Sequence, residues 1–105
     1  MTEIVHTKIG IITYLAPTGP LTESGAAEEL QATIAQCRAA KEINLVLDLS
    51  NVPTLTGKLV ELFIDIQGEL ARFGGNLKVV NANSLIRDIF LITSFSDYVA
   101  VFDKT

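Results

Sequence analysis

The sequence predicts an α/β domain with one mixed, mostly parallel sheet of about five short strands and three or four helices, in the order β-β-α-β-α-β-α-β. Three observations predict it. Strand-length apolar runs at residues 43–49, 77–81 and 98–102 alternate with longer stretches in which apolar residues recur at three- and four-residue steps. The changes of period are marked by Gly, Pro or a small polar residue, as at Pro53, Gly74 and Asn83. A chain of 105 residues with 49% hydrophobic content can bury one sizeable core and is too short for two ordinary ones, so residues 1–105 read as a single domain.

Residues 3–15 are rich in β-branched types and interrupted near Lys8 and Gly10, which predicts two short strands joined by a tight turn. Residues 16–20 carry Pro17 and Pro20, which cannot donate to a ladder, so a loop is expected. A helix opens after Leu21: Thr22 or Ser24 can cap it, and Glu23, Glu28 and Glu29 put negative charge at its positive end. Arg38 and Lys41 complement the other end, and the helix is expected to run to about Ala40, burying Ala27, Leu30, Ile34 and Cys37.

Residues 43–49 are apolar on both pleat faces except at Asn44 and Asp48, as expected of the central strand covered by helices or other layers. A polar turn with Pro53 follows. From about Thr56, the residues Leu59, Leu62, Phe63, Ile66, Leu70 and Phe73 trace the inner side of a second helix, with Glu61, Asp65, Glu69 and Arg72 outside. Gly74-Gly75 ends it, because glycine takes the left-handed cap conformation without a side-chain penalty. After the strand at 77–81, Asn83 is expected to cap a third helix from Ser84 to about Ile92, with Leu85, Ile86, Ile89 and Phe90 inward. Residues 93–97 form a turn or short helical piece, and 98–102 close the sheet.

Composition excludes several functions. The net charge of −4 comes from interspersed acids and bases, with no basic cluster to neutralise successive phosphates, so neither nucleic acid nor an anionic membrane is expected as a direct partner. No apolar run approaches membrane-spanning length, and the first residues lack a signal-peptide pattern; a cytoplasmic protein is expected. Cys37 is alone, which leaves no internal disulfide and no thiolate cluster, and its place in a helical apolar series makes it a small core hydrophobe. His6 has no second His and no Cys nearby, so it reads as a solvated strand residue, and neither a metal nor a cofactor is expected.

The element order, the phrase Leu47-Asp48-Leu49-Ser50-Asn51-Val52, the helix ending at Gly74-Gly75 and the following Leu77-Lys78-Val79-Val80-Asn81 together resemble the STAS domain of bacterial anti-sigma factor antagonists. The resemblance runs from about Glu3 to Phe102 and implies a small α/β sandwich that acts by binding proteins. In that family a similar Leu-Asp-Leu-Ser phrase is followed by a helix beginning Asp-Ser-Ser-Gly, whose second serine is phosphorylated by a partner kinase. Aligned without a gap from Asp48 to Gly74, those four positions fall on Thr56, Gly57, Lys58 and Leu59, so Lys58 replaces the phosphorylatable serine. An alignment with two loop residues deleted instead puts Thr56-Gly57 on Ser-Gly and leaves Thr56 as an acceptor.

The resemblance makes the junction of Asp48, Ser50, Asn51, Thr54, Thr56, Gly57 and Lys58 the candidate docking surface for an anti-sigma factor or a serine/threonine kinase-like regulator. Phosphoserine there would bring nearly two negative charges to a helix start, whereas lysine carries a permanent positive one. Lys58 reads either as a solvated first-turn residue, slightly unfavourable against the helix dipole, or as a fixed cationic contact for an acidic partner. Thr54 and Thr56 read as helix caps or as candidate phosphorylation sites, and Asp48 as an acceptor for loop N–H groups. A second functional class is a STAS subunit of a transporter ATPase complex or sensory scaffold. Enzymatic activity has little support: there is no Ser-His-Asp or metal spacing, and Thr56-Gly57-Lys58 lacks the upstream glycine at Val52 and the hydroxyl at Leu59 that a phosphate-binding loop needs.

Overall fold

The computed structural model describes residues 3–21 and 25–102. A hairpin of β1 (Glu3–Ile9) and β2 (Ile12–Thr18) turns at Gly10, whose φ of 62° suits a residue without Cβ. Then come α1 (Ala26–Ala39), β3 (Asn44–Asp48), α2 (Gly57–Ala71), β4 (Asn76–Val80), α3 (Ser84–Ile92), a 3-10 turn at Phe95–Asp97 and β5 (Ala100–Phe102). The strands lie side by side in chain order, with β1 antiparallel to β2 and the other neighbours parallel, so β3 is central as expected.

In-register rows explain where the core sits. Thr13, Leu45 and Leu77 align across β2, β3 and β4, as do Leu15, Leu47 and Val79, and their side chains share one face. That face packs on Leu30, Ile34 and Cys37 of α1, Leu59, Phe63, Ile66 and Leu70 of α2, and Ile86 and Phe90 of α3. Strands that neighbour in chain order, joined by right-handed crossovers, place all three helices on the same face. The sheet is therefore covered by helices on one side, not on both. Val46, though buried, lies outside the core on the opposite face, between its register partners Tyr14 and Lys78.

Other expectations are corrected in detail. Residues 16–18 continue β2, because the ladder to β3 ends at Leu15 and the missing donor of Pro17 is tolerated beyond it. Leu21 bridges to Leu55, and α1 begins at Ala26 with Gly25, at φ 93°, in the N-cap position. The proposed caps Thr22 and Ser24, with Glu23, lie outside the described residues. The innermost residue of the first turn of α1 is Ala26, not Ala27. Phe73 is 64% exposed, since it follows the last helical residue of α2, where the helical period no longer applies. Leu85 is also exposed: the short α3 buries only the i, i+4 line of Ile86 and Phe90, and Leu85 falls one step off it.

Gly74, at φ 84°, turns the chain out of α2, and Gly75 donates its N–H back to Leu70 O at 2.9 Å. A Cβ on Gly75 would collide with the backbone carbonyl of Ile43, to which Asn76 N–H donates at 3.0 Å. This close approach lets β4 dock beside β3 directly after the helix.

Candidate functional site

The junction between β3 and α2 is a loop whose backbone is fastened on three sides. Asp48 Oδ1 at the strand end accepts from Ser50 N–H at 2.9 Å and from Asn81 Nδ2 at 3.2 Å, the loop-holding role expected of it. Asn83 Nδ2 donates to Pro53 O at 2.9 Å and approaches Val52 O at 3.4 Å, while its Oδ1 caps α3 by accepting from Ile86 N–H at 2.9 Å. From the other side, Gly19 N–H donates to Asn51 O and Leu21 N–H to Thr54 O, both at 3.0 Å. Leu49, Val52 and Leu55 are buried beneath the loop. Ser50, Asn51, Pro53, Thr56, Gly57 and Lys58 face outward, and Thr54 is half-buried.

Thr56 is the N-cap of α2 with extended backbone, yet its hydroxyl makes no cap hydrogen bond, contrary to the capping expected of it; its carbonyl accepts from Leu59 and Val60 N–H. Gly57 and Lys58 are therefore the first two residues of α2. Lys58 lines a shallow groove between α1 and α2 with Ala27, Glu28, Gln31, Glu61, Leu62 and Asp65, and pairs with no acidic group among the described residues. One ammonium and the three carboxylates of Glu28, Glu61 and Asp65 leave this groove with mixed charge and a net negative balance.

Asn81 and Asn83, which hold the loop, escaped the sequence reading of the site. Asn83 is recognisable as a helix cap, but its second duty is to a segment 30 residues earlier. Asn81 carries a positive φ of 61°, a conformation asparagine accepts more readily than most residues.

A second group of polar side chains lies away from this junction. His6 and Lys8 on β1 face the helices in register with Leu15 and Thr13, and there they meet Glu42, in the turn after α1, and Cys37, in its last turn. His6 Nε2 is 3.2 Å from Glu42 Oε1 and 3.9 Å from Cys37 Sγ; Thr13 Oγ1 donates to Glu42 Oε1 at 3.2 Å, and Lys8 Nζ is 3.9 Å from Oε2. His6 is thus not the isolated strand residue that its sequence neighbours imply. Burial, then the charge and hydrogen bond of Glu42, push the Cys37 thiol up to about 11, so it is protonated at neutral pH, in line with its core position. Desolvation pushes the Glu42 carboxyl up, but hydrogen bonds from His6 and Thr13 and the charge of Lys8 outweigh it and hold the group below its usual value.

The model of the STAS domain family matches residues 3–105. The chain belongs to the STAS domain family. No curated protein sequence matches it. Among solved structures, this STAS chain superposes on an anti-sigma factor antagonist from Mycobacterium paratuberculosis with a TM-score of 0.86 at 17% identity, covering 99% of this chain and 87% of that one. On the anti-sigma factor antagonist SpoIIAA in its unphosphorylated form, the TM-score is 0.76 at 15% identity, with 98% and 90% covered. The murine solute carrier 26 family member A9 anion transporter also contains the fold, with a TM-score of 0.75 at 16% identity, over 94% of this chain and 17% of that one. The STAS fold expected from the sequence is therefore the one observed. No helix among the described residues is long and apolar enough to cross a membrane.

Proposed function

We propose that this STAS chain is a non-enzymatic regulatory module in the cytoplasm that binds a kinase-type anti-sigma factor or a related serine/threonine kinase-like regulator. The docking surface is the outward side of residues 48–58, continued along the exposed side of α2. One observation carries this reading: a loop with polar tips is fastened through Asp48, Asn83 and residues 19–21, so its exposed groups are presented in one arrangement. A surface ordered before contact loses less entropy on binding.

The helix start also supports the ungapped alignment. It puts the family motif's aspartate, a favoured N-cap type, on Thr56, the observed N-cap, and puts the phosphorylatable serine on Lys58, the second residue of α2. A kinase cannot phosphorylate lysine as it does serine, so in this reading the charge at the contact is fixed and the usual release signal is lost. Two measurements test it. Lys58→Glu is expected to weaken calorimetric binding to the kinase-type anti-sigma factor of the same genome by about tenfold or more, near 1.4 kcal/mol. Unchanged affinity would remove Lys58 from the interface. Incubation with that kinase and ATP, followed by mass spectrometry, should leave the chain unmodified; phosphate on Thr54 or Thr56 would mean the switch has moved and not vanished.

The occurrence of the fold within an anion transporter favours one further reading, a STAS subunit on a transporter ATPase or sensory scaffold. Stable copurification with a membrane ATPase would favour it over an exchanging regulatory switch.

A further inference from the structure

The cluster beneath β1 has no part in the docking surface, and its composition is that of a metal site. We propose that His6 Nε2, Cys37 Sγ and Glu42 Oε1 together bind a divalent transition metal ion of the zinc type, with a fourth position left open to water. One ligand atom from each of these residues lies within 4.8 Å of the others. A tetrahedral zinc ion, with bonds of about 2.0–2.1 Å to nitrogen or oxygen and 2.3 Å to sulfur, sets its ligand atoms roughly 3.3–3.6 Å apart. The Nε2–Oε1 distance of 3.2 Å and the Nε2–Sγ distance of 3.9 Å bracket those edges, and the remaining edge, from Sγ to the carboxylate, is within 4.8 Å, so side-chain rotations would draw the three atoms onto one ion.

Each ligand is positioned by the fold. Lys41, at φ 62°, turns the chain after α1, and Glu42 N–H donates to Cys37 O at 2.8 Å, which holds the main chains that carry the thiol and the carboxylate together. The β1–β2 register brings His6 opposite Leu15 and so over the end of α1. Thr13 Oγ1 already donates to the Glu42 oxygen nearest the ring, an outer hydrogen bond of the kind that orients a ligating carboxylate. The Cys37 side is fully buried, Glu42 is 15% exposed and His6 39%, so the opening lies on the His6 side.

A nitrogen, a thiol and one carboxylate oxygen make a set suited to zinc-type ions and poor for calcium or magnesium, which take oxygen ligands. On binding, His6 ligates as the neutral imidazole through Nε2 with its proton on Nδ1, Glu42 as the carboxylate, and the Cys37 thiol releases its proton to solvent; nothing is oxidised or reduced. Lys8 is the opposing charge. It approaches only the other carboxylate oxygen, is 56% exposed, and can swing its ammonium into water.

The test uses the metal alone. Cobalt(II) added to the purified, metal-free chain is expected to give tetrahedral visible bands and a near-ultraviolet thiolate-to-cobalt band at one equivalent, both abolished by zinc. His6→Gln, on the edge strand, is expected to keep the fold by circular dichroism and to lower zinc affinity about tenfold or more. Cys37→Ser should remove the thiolate band. Because Cys37 is buried and its substitution can unfold the chain, Glu42→Gln serves as an independent ligand variant, with the same expected loss of affinity. Absence of the thiolate band in the parent chain, or zinc affinity unchanged in folded His6→Gln, would overturn the proposal.

Discussion

Thr56 holds the N-cap of α2 without using its hydroxyl as a cap, whereas Asn83 holds the N-cap of α3 and uses its side chain fully. The difference has an energetic consequence. Replacing a capping Ser or Thr by Ala ordinarily costs about 1 kcal/mol, because an N–H of the first turn is left unpaired. Thr56→Ala removes no such bond and is expected to cost less than about 0.5 kcal/mol in urea unfolding. A cost near 1 kcal/mol would mean that the hydroxyl caps the helix in solution. Lys58 is the neighbouring case: it stands in the first turn, where the helix dipole disfavours a cation slightly, so it adds nothing to the stability of the helix start.

Between elements, the β3–α2 loop depends on α3. Asn83 belongs to the start of α3 by sequence, but its amide group ties α3 to the carbonyls of Val52 and Pro53 in the β3–α2 loop. Asn83→Ala therefore removes a cap and a loop fastening at once. The expected loss is about 1–2 kcal/mol, seen as a lower urea midpoint with unchanged slope. Faster amide exchange is expected at residues 49–56 before the rest of the sheet is affected. Protection of that loop equal to the parent chain would show that residues 19–21 hold it alone. The helices also clasp each other at the surface through Arg38 Nη1 and Glu69 Oε2 at 2.7 Å, an exposed pair worth no more than about 1 kcal/mol.

At the scale of the molecule, stability rests on one core whose far end is closed by the 3-10 turn before β5. Phe95 is fully buried there, with its ring stacked on Phe90 at a centroid distance of 4.1 Å and edge-on to Phe63 at 6.2 Å. Phe95→Ala is expected to cost about 3–5 kcal/mol, a large share of the roughly 5–15 kcal/mol by which such domains are stable. The check is a thermal or urea transition; a loss under about 1 kcal/mol would mean that the core closes without the ring. Sequence periodicity marked residues 93–97 only as a turn or short helical piece, because a three-residue element has no period from which burial can be read.

The sequence by itself determined the element order, the central place of β3, the Asn83 cap and the glycine ending of α2, because periodicity, caps and turn residues act over a few positions along the chain, and its resemblance to the STAS domain gave the fold. It also singled out the junction around Lys58 as a candidate docking surface, although the fastening of that loop by Asn81 and Asn83 was not legible. Only the tertiary structure decided that the helices cover one face of the sheet, that Phe73 and Leu85 stay outside while Phe95 goes in, and that His6 meets Cys37 and Glu42. Those outcomes depend on strand register and crossover direction, which bring together side chains 31 and 36 positions apart, and no local pattern records such a meeting.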